Sequence, residues 1–119
     1  MAQILIAEDD SSMRDFLTLA LNKAGHQTTA CEDGLQALGA LAKQKYDLLL
    51  ADIVMPGMDG VELATRAKSV DDSLKIMFIT GFAAVAMGER NPLRGETKIL
   101  SKPFHLKELV DQVDKMLAA

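Results

Sequence analysis

The chain has 119 residues, 49% of them apolar and 25% charged, and it carries a net charge of −4 at pH 7. This length predicts a single compact domain over residues 1–119 and leaves no room for a second one. Acidic residues outnumber basic ones, and no basic cluster with interleaved aromatic residues is present, which disfavours nucleic-acid binding. No apolar run approaches the roughly 20 residues of a membrane span, and the lone cysteine, Cys31, suits a reducing cytosol. We therefore expect a cytoplasmic protein that binds neither nucleic acid nor membranes.

The first half of the chain alternates between short apolar runs and segments whose apolar residues recur at helical spacing. The first helical segment extends from Met13 to Ala24, and Gly25 is suited to end it. The second run, at 27–31, is less apolar than the first, at 3–7. In chain order the predicted elements are a strand at 3–7, a helix at 13–24, a strand at 27–31 and a helix at 35–42.

The second half of the chain repeats this alternation with one weak element. A helix could begin at Phe82, but Gly88, Pro92 and Gly95 predict that it is short or irregular. The last helix has a wide apolar face that extends from Leu106 to Leu117. In chain order the predicted elements are a strand at 48–51, a helix at 61–67, a strand at 76–79, a short helix at 82–87, a strand at 97–100 and a helix at 106–117.

Strands that alternate with helices, and that are apolar on both faces, predict an α/β fold. The expected architecture is a three-layer sandwich, in which a parallel sheet of five strands is covered by five helices through right-handed crossovers. In such open sheets, ligands bind at the carboxyl ends of the strands, near the point where the strand order reverses. Candidate functional residues are therefore expected at those ends.

Acidic residues gather at two of the predicted strand ends. The first strand runs into Glu8, Asp9 and Asp10, and the third ends at Asp52. Carboxylates within a few ångströms of one another repel unless they take up protons or bind a cation. A set of oxygen ligands favours a hard cation, Mg²⁺ or alternatively Mn²⁺. A carboxylate beside such a metal can accept a phosphoryl group and form an acyl phosphate.

Two further polar residues stand at the ends of the remaining strands. Thr80 ends the fourth strand, and Lys102 follows the fifth. Phosphoryl transfer needs positioning and charge neutralisation, which a hydroxyl hydrogen bond from Thr80 and the ammonium group of Lys102 would supply.

Each of these residues also has a simpler interpretation. Asp10 taken singly fits the N-cap of the first helix, and Asp59 with Glu62 three residues later fits a cap of the third. Lys102 taken singly fits a solvated charge. Asp52 is different, because it ends a wholly apolar strand and is followed by apolar residues, where no helix needs a cap. Suitable groups at four strand ends together favour a phosphoryl-transfer site.

Four motifs contain or adjoin these residues: LIAEDD at 5–10, DIVMPGMDG at 52–60, FITGFA at 78–83 and LSKPF at 100–104. Together they resemble the CheY-like receiver domains of bacterial two-component response regulators. The resemblance covers the whole chain. It implies a flavodoxin-like fold with strand order 2-1-3-4-5 and, at this length, a receiver without an output domain.

The resemblance also implies a role for each matching residue. Asp52 matches the phosphoacceptor. Asp9 and Asp10 match the acidic pair that holds Mg²⁺, and Val54 matches the residue whose main-chain carbonyl binds the metal.

Thr80 and Lys102 match the two receiver residues that contact the phosphoryl group. The resemblance further implies that the Lys102–Pro103 peptide bond is cis. One position departs from the family pattern, because many receivers carry Tyr or Phe three residues before the lysine and this chain carries Ile99. An aromatic ring that turns inward at this position is therefore not expected.

The run MFITGFAAV, followed by LSKPFHLKEL, is similar to single-domain receivers that act only by binding. These serve as adaptors that direct the ClpXP protease to substrates and to a cell pole, with the unphosphorylated form active. The implied partners are a histidine kinase or histidine phosphotransfer protein as phosphodonor and ClpX or ClpXP as the output, and we expect a monomer. The final Leu-Ala-Ala also resembles a tail that ClpX captures.

Other functions place different demands on the sequence. A CheY-like regulator of another protein target, a phosphorelay shuttle and an unphosphorylated scaffold remain alternatives. A haloacid-dehalogenase-type phosphatase would need an Asp two residues after its nucleophile, where Val54 follows Asp52. A flavin module would need a phosphate loop where the acidic residues 8–10 stand. We therefore expect no turnover enzyme, only a protein that catalyses its own phosphoryl transfer and dephosphorylation.

Overall fold

The structure, a computed structural model, describes residues 2–80, 97–102 and 104–118, with Thr80, Thr97 and Ser101 described through their backbone. The predicted short helix at 82–87 lies outside the described residues. So do the bond to Pro103 and the terminal residue Ala119.

A five-stranded parallel sheet in the order β2-β1-β3-β4-β5 forms the centre of the molecule. Both the strand order and the five predicted strands are confirmed, with ends that differ from the prediction by at most one residue. Leu48 to Leu50 are completely buried, as expected for a central strand covered on both faces. The strands are β1 (Gln3–Ala7), β2 (Gln27–Cys31), β3 (Leu48–Asp52), β4 (Lys75–Thr80) and β5 (Thr97–Ser101).

Four helices lie in the described part of the chain. Asp33 begins the second of them and Asp59 the third, because each carboxylate accepts a hydrogen bond from the N–H three residues later. Gly25, with a φ of 98°, turns the chain after the first helix, as its sequence position predicts. None of these helices combines the length and apolar character needed to cross a membrane. They are α1 (Ser11–Lys23), α2 (Gly34–Lys43), α3 (Gly60–Val70) and α4 (Leu106–Ala118).

The two faces of the sheet build two separate apolar cores, because successive side chains of a strand point to opposite sides. Leu5 and Leu49 belong to the core that also contains residues of α2 and α3. Ile4, Leu48 and Leu50 belong to the core that also contains residues of α1 and α4. The helices therefore cover both faces and leave the carboxyl edge of the sheet to the loops.

Candidate functional site

Asp52 is the last residue of β3, the central strand, and only 5% of its surface is exposed. Its carboxylate lies at the carboxyl edge of the sheet, where Oδ1 accepts a hydrogen bond of 3.0 Å from the N–H of Val54. The backbone on both sides is held, because β3 pairs with β1 and β4 and the N–H of Ile53 donates to Ile79 O at 3.1 Å. The predicted phosphoacceptor is therefore a buried, rigidly placed carboxylate.

Three carboxylates converge at this point. Each of Glu8, Asp9 and Asp52 offers an oxygen within 4.8 Å of the others. Glu8 is fully buried, and Asp9 is exposed. Three oxygen ligands of this kind, with one side open, fit Mg²⁺, which retains several of its waters when bound to proteins.

Lys102 crosses from the end of β5 to the two buried carboxylates. Its Nζ donates to Asp52 Oδ2 at 2.9 Å and to Glu8 Oε1 at 3.4 Å. Burial by itself lowers the pKa of Lys102, but the hydrogen bond to Asp52 and the negative charges of Asp52 and Glu8 outweigh it, so the pKa is raised. The lysine is therefore held protonated beside the predicted phosphoacceptor.

Glu8 carries the strongest electrostatic perturbation of the site. Burial, with the nearby charge of Asp52, raises the pKa of Glu8 from 4.5 to about 7. The N–H of Asp10, which donates to Glu8 Oε2 at 3.1 Å, and the charge of Lys102 act in the opposite direction. In the absence of a metal, Glu8 is thus partly protonated near neutral pH.

Asp10 lies outside this cluster. It is exposed, and its carboxylate accepts a hydrogen bond of 3.1 Å from the N–H of Met13, which makes it the N-cap of α1. The helix-cap interpretation of Asp10 therefore describes its place in the structure, and the acidic partner that approaches Asp9 and Asp52 is Glu8.

The β1–β3 register explains why Glu8, rather than Asp10, faces Asp52. Ala7 is paired with Ala51, and the N–H of Glu8 still donates to Cys31 O at 3.0 Å, so the next positions along the strands are Glu8 and Asp52. Counting from the predicted strand ends would have revealed this pair. The sequence placed Glu8 at this edge together with Asp9 and Asp10, but the motif resemblance assigned the metal-binding pair to Asp9 and Asp10. In the structure Asp10 is the helix cap, and Glu8 lies beside Asp9 and Asp52.

Of the remaining predicted residues, Thr80 and Val54 lie at the same edge. The backbone of Thr80 ends β4 and is paired with Ser101 of β5, the residue that precedes Lys102. Val54 follows Asp52 in the loop, where its N–H is hydrogen-bonded to Asp52, and the role of its carbonyl as a metal ligand stays a prediction. Ile99 lies in β5, partly buried against the core that contains α2 and α3.

Gly60 brings the start of α3 against the end of β3. Its N–H donates to Ile53 O at 2.9 Å. A Cβ at this position would press on the carbonyl oxygen of Asp52 and lie 2.8 Å from Ile53 Cα. The glycine is therefore required for the close backbone approach that fixes the position of Asp52.

Comparisons with known proteins agree with this geometry. Residues 4–114 match the family model for the response regulator receiver domain. The chain is 54% identical to the response regulator receiver protein CpdR of Brucella abortus, covering 100% of this chain and 99% of that one. It is 36% identical to sporulation initiation phosphotransferase F of Bacillus subtilis, covering 97% and 93%.

A solved structure of the chemotaxis protein CheY4 of Vibrio cholerae has the same fold. It superposes with a TM-score of 0.90 at 26% identity and covers 98% of both chains. The parallel sheet, the carboxylates at its carboxyl edge and the family match over nearly the whole chain lead to one conclusion. The chain belongs to the receiver-domain family of two-component response regulators.

Proposed function

We propose that this protein is a signalling switch in which Asp52 accepts a phosphoryl group and the modified state controls binding to another protein. The observation that carries the proposal is the contact of Lys102 with Asp52 at 2.9 Å, next to the three converging carboxylates. A buried nucleophile, a neutralising ammonium group and a set of hard oxygen ligands are the groups that phosphoryl transfer requires.

In the proposed reaction, a carboxylate oxygen of Asp52 forms a bond to phosphorus while the P–N bond of a phosphohistidine on the donor breaks. Lys102 neutralises charge on the transferred group, and the hydroxyl of Thr80 donates to one of its oxygens. Glu8, Asp9 and Asp52, with the carbonyl of Val54, would hold Mg²⁺ or Mn²⁺, which supplies positive charge beside the transferring oxygens. The donor is a histidine kinase or a histidine phosphotransfer protein, and the chain performs no turnover beyond its own phosphorylation and dephosphorylation.

Incubation with acetyl phosphate and Mg²⁺, followed by intact mass measurement, tests this proposal. We expect a mass increase that corresponds to one phosphoryl group and that disappears on adding EDTA or with Asp52→Asn. Asp59→Asn is the matched control, because Asn retains the helix-capping role of Asp59 and this residue lies outside the acidic cluster. Labelling that persists in Asp52→Asn would refute the site.

For the output, we propose a CpdR-type adaptor role with the ClpXP protease, active in the unphosphorylated form. The 54% identity to CpdR over the full chain supports this role. A cytoplasmic monomer that is recruited to a cell pole is part of the same proposal. Purified ClpX should bind the wild-type chain and Asp52→Asn, and acetyl phosphate with Mg²⁺ should weaken binding only of the wild type. Equal binding before and after complete phosphorylation would contradict the adaptor switch.

A phosphorelay shuttle is the second candidate, favoured by the 36% identity to sporulation initiation phosphotransferase F. A shuttle would pass its phosphoryl group to a histidine phosphotransfer protein and would show no phosphorylation-dependent binding to ClpX. A CheY-like regulator of another target would neither pass its phosphoryl group to a phosphotransfer protein nor bind ClpX in a phosphorylation-dependent way, but acetyl phosphate would still label it. An unphosphorylated scaffold would not be labelled at all.

A further inference from the structure

A groove of about 630 Å³ opens beside the acidic site, between the start of α2 and the loop that joins β3 to α3. Met58 lines it and packs closely on α2, since a Cβ on Gly34 would lie 2.9 Å from Met58 Sδ. Leu35, in the first turn of α2, is 74% exposed, and Pro56 is exposed in the loop. The groove therefore presents apolar side chains that the described part of the chain does not cover.

The same groove is acidic. Asp9, Glu32 and Asp33 line it, and none of its lining residues is basic. Among the described residues, Arg14 is a nearby cation, but its guanidinium donates to the carbonyl of Glu8 at 2.8 Å and it does not line the groove. Apolar surface and negative charge thus stand side by side.

We propose that this groove binds a segment of a partner protein that presents an Arg or Lys side chain next to an aliphatic one. The aliphatic side chain would pack on Leu35 and Met58, and the cation would face Glu32 and Asp33. Charge complementarity of this kind selects among partners, and it rejects acidic segments by like-charge repulsion.

Asp9 connects this groove to the acidic site, because it lines the groove and also belongs to the cluster with Glu8 and Asp52. A cation bound at the cluster would reduce the negative charge that the groove offers, so Mg²⁺ and the partner segment would weaken each other's binding reciprocally. This inference rests on the proposed function, since it assigns a partner-binding surface to the same switch.

The test is a titration of the full-length, ¹⁵N-labelled chain in EDTA with the peptide acetyl-Leu-Arg-Leu-Arg-amide, followed by amide chemical shifts. We expect shifts concentrated at Gly34, Leu35, Gly57 and Met58, and much weaker binding of acetyl-Leu-Glu-Leu-Glu-amide. Replacing EDTA by Mg²⁺ at matched ionic strength should weaken binding of the arginine peptide about threefold or more. Equal binding of both peptides would overturn the proposal.

Two pairs of variants separate the groove from general surface effects. Leu35→Ser should weaken binding at least about fivefold, whereas Val70→Ser, at a position that is 59% exposed at the end of α3, should not. Glu32→Lys should weaken it similarly, and Glu108→Lys on α4 should not. Equal losses in the control variants, or shifts away from the groove, would overturn the proposal.

Labelling of Leu35→Ser by acetyl phosphate distinguishes this inference from the proposed function. If acetyl phosphate labels Leu35→Ser as fully as the wild type while the variant no longer binds the peptide, the result supports a separate docking groove. Labelling of the wild type without peptide binding rejects the groove alone, and a wild type that is never labelled rejects the proposed function.

Discussion

Two buried carboxylates, those of Glu8 and Asp52, share the ammonium group of Lys102 at the edge of the sheet. Burial, together with the negative charge of Asp52, raises the pKa of Glu8 to about 7, and the positive charge of Lys102 offsets only part of this increase. Asp10, two residues further on, is exposed and serves as the cap of a helix. The difference between these acidic residues is decided by burial and by position relative to the end of β1.

The raised pKa of Glu8 predicts a pH-dependent effect of Glu8→Gln on stability in EDTA. Well below pH 4.5 Glu8 is protonated in both the folded and unfolded states, so the substitution changes little. Between pH 4.5 and about 7 only the unfolded wild type ionises, so wild-type stability falls as pH rises. In denaturant unfolding, the unfolding free energy of Glu8→Gln should increase relative to that of the wild type as pH rises, by up to ~3 kcal/mol at pH 8. Glu108→Gln is the control, and a Glu8→Gln difference that is flat with pH would contradict the prediction.

At the scale of elements, the junction of β3 and α3 is a tightly packed part of the described site. Burial of β3 on both faces makes it an unbroken apolar run, which is why this strand and its end at Asp52 were predictable from the sequence. The helix caps at Asp10 and Asp59 were also predictable, because a cap depends only on the few residues around the start of a helix. The sequence placed Glu8, Asp9, Asp10 and Asp52 at one edge of the sheet. The motifs alone did not resolve which of them face each other, because that follows from the register of β1 and β3, whose paired residues are more than 40 positions apart in the chain.

Gly60→Ala tests this junction. The added Cβ meets backbone atoms of Asp52 and Ile53, which cannot move as a side chain would, so we expect a loss of about 1–3 kcal/mol in unfolding free energy. Labelling by acetyl phosphate should also slow, because the end of β3 shifts. Gly39→Ala in α2 is the matched control: nothing lies within 4 Å of its added Cβ, and we expect a gain of about 0.5–1 kcal/mol. Equal effects of the two substitutions would contradict a tight junction.

At the scale of the whole molecule, the site exists only when the entire sheet is assembled. Lys102 is 50 residues from Asp52 and 94 from Glu8 along the chain, and both contacts require β5, β3 and β1 to lie in their final order. The unfolded chain therefore lacks the three-carboxylate arrangement. A ligand of that arrangement binds the folded state selectively and stabilises the protein as a whole.

Mg²⁺ should consequently raise the thermal unfolding temperature relative to EDTA. Saturation at 100 times the dissociation constant corresponds to about 2.7 kcal/mol if the unfolded chain does not bind the ion. Asp9→Asn should lose most of this increase, because it removes one carboxylate of the cluster. Asp10→Asn should keep both the basal stability and the increase, because Asn caps a helix about as well as Asp and Asp10 stands outside the cluster. Scanning calorimetry of the three proteins with and without Mg²⁺ measures both effects. If Asp10→Asn lost the Mg²⁺ response and Asp9→Asn retained it, the ion would bind through the helix cap, and the arrangement of Glu8, Asp9 and Asp52 would not be its site.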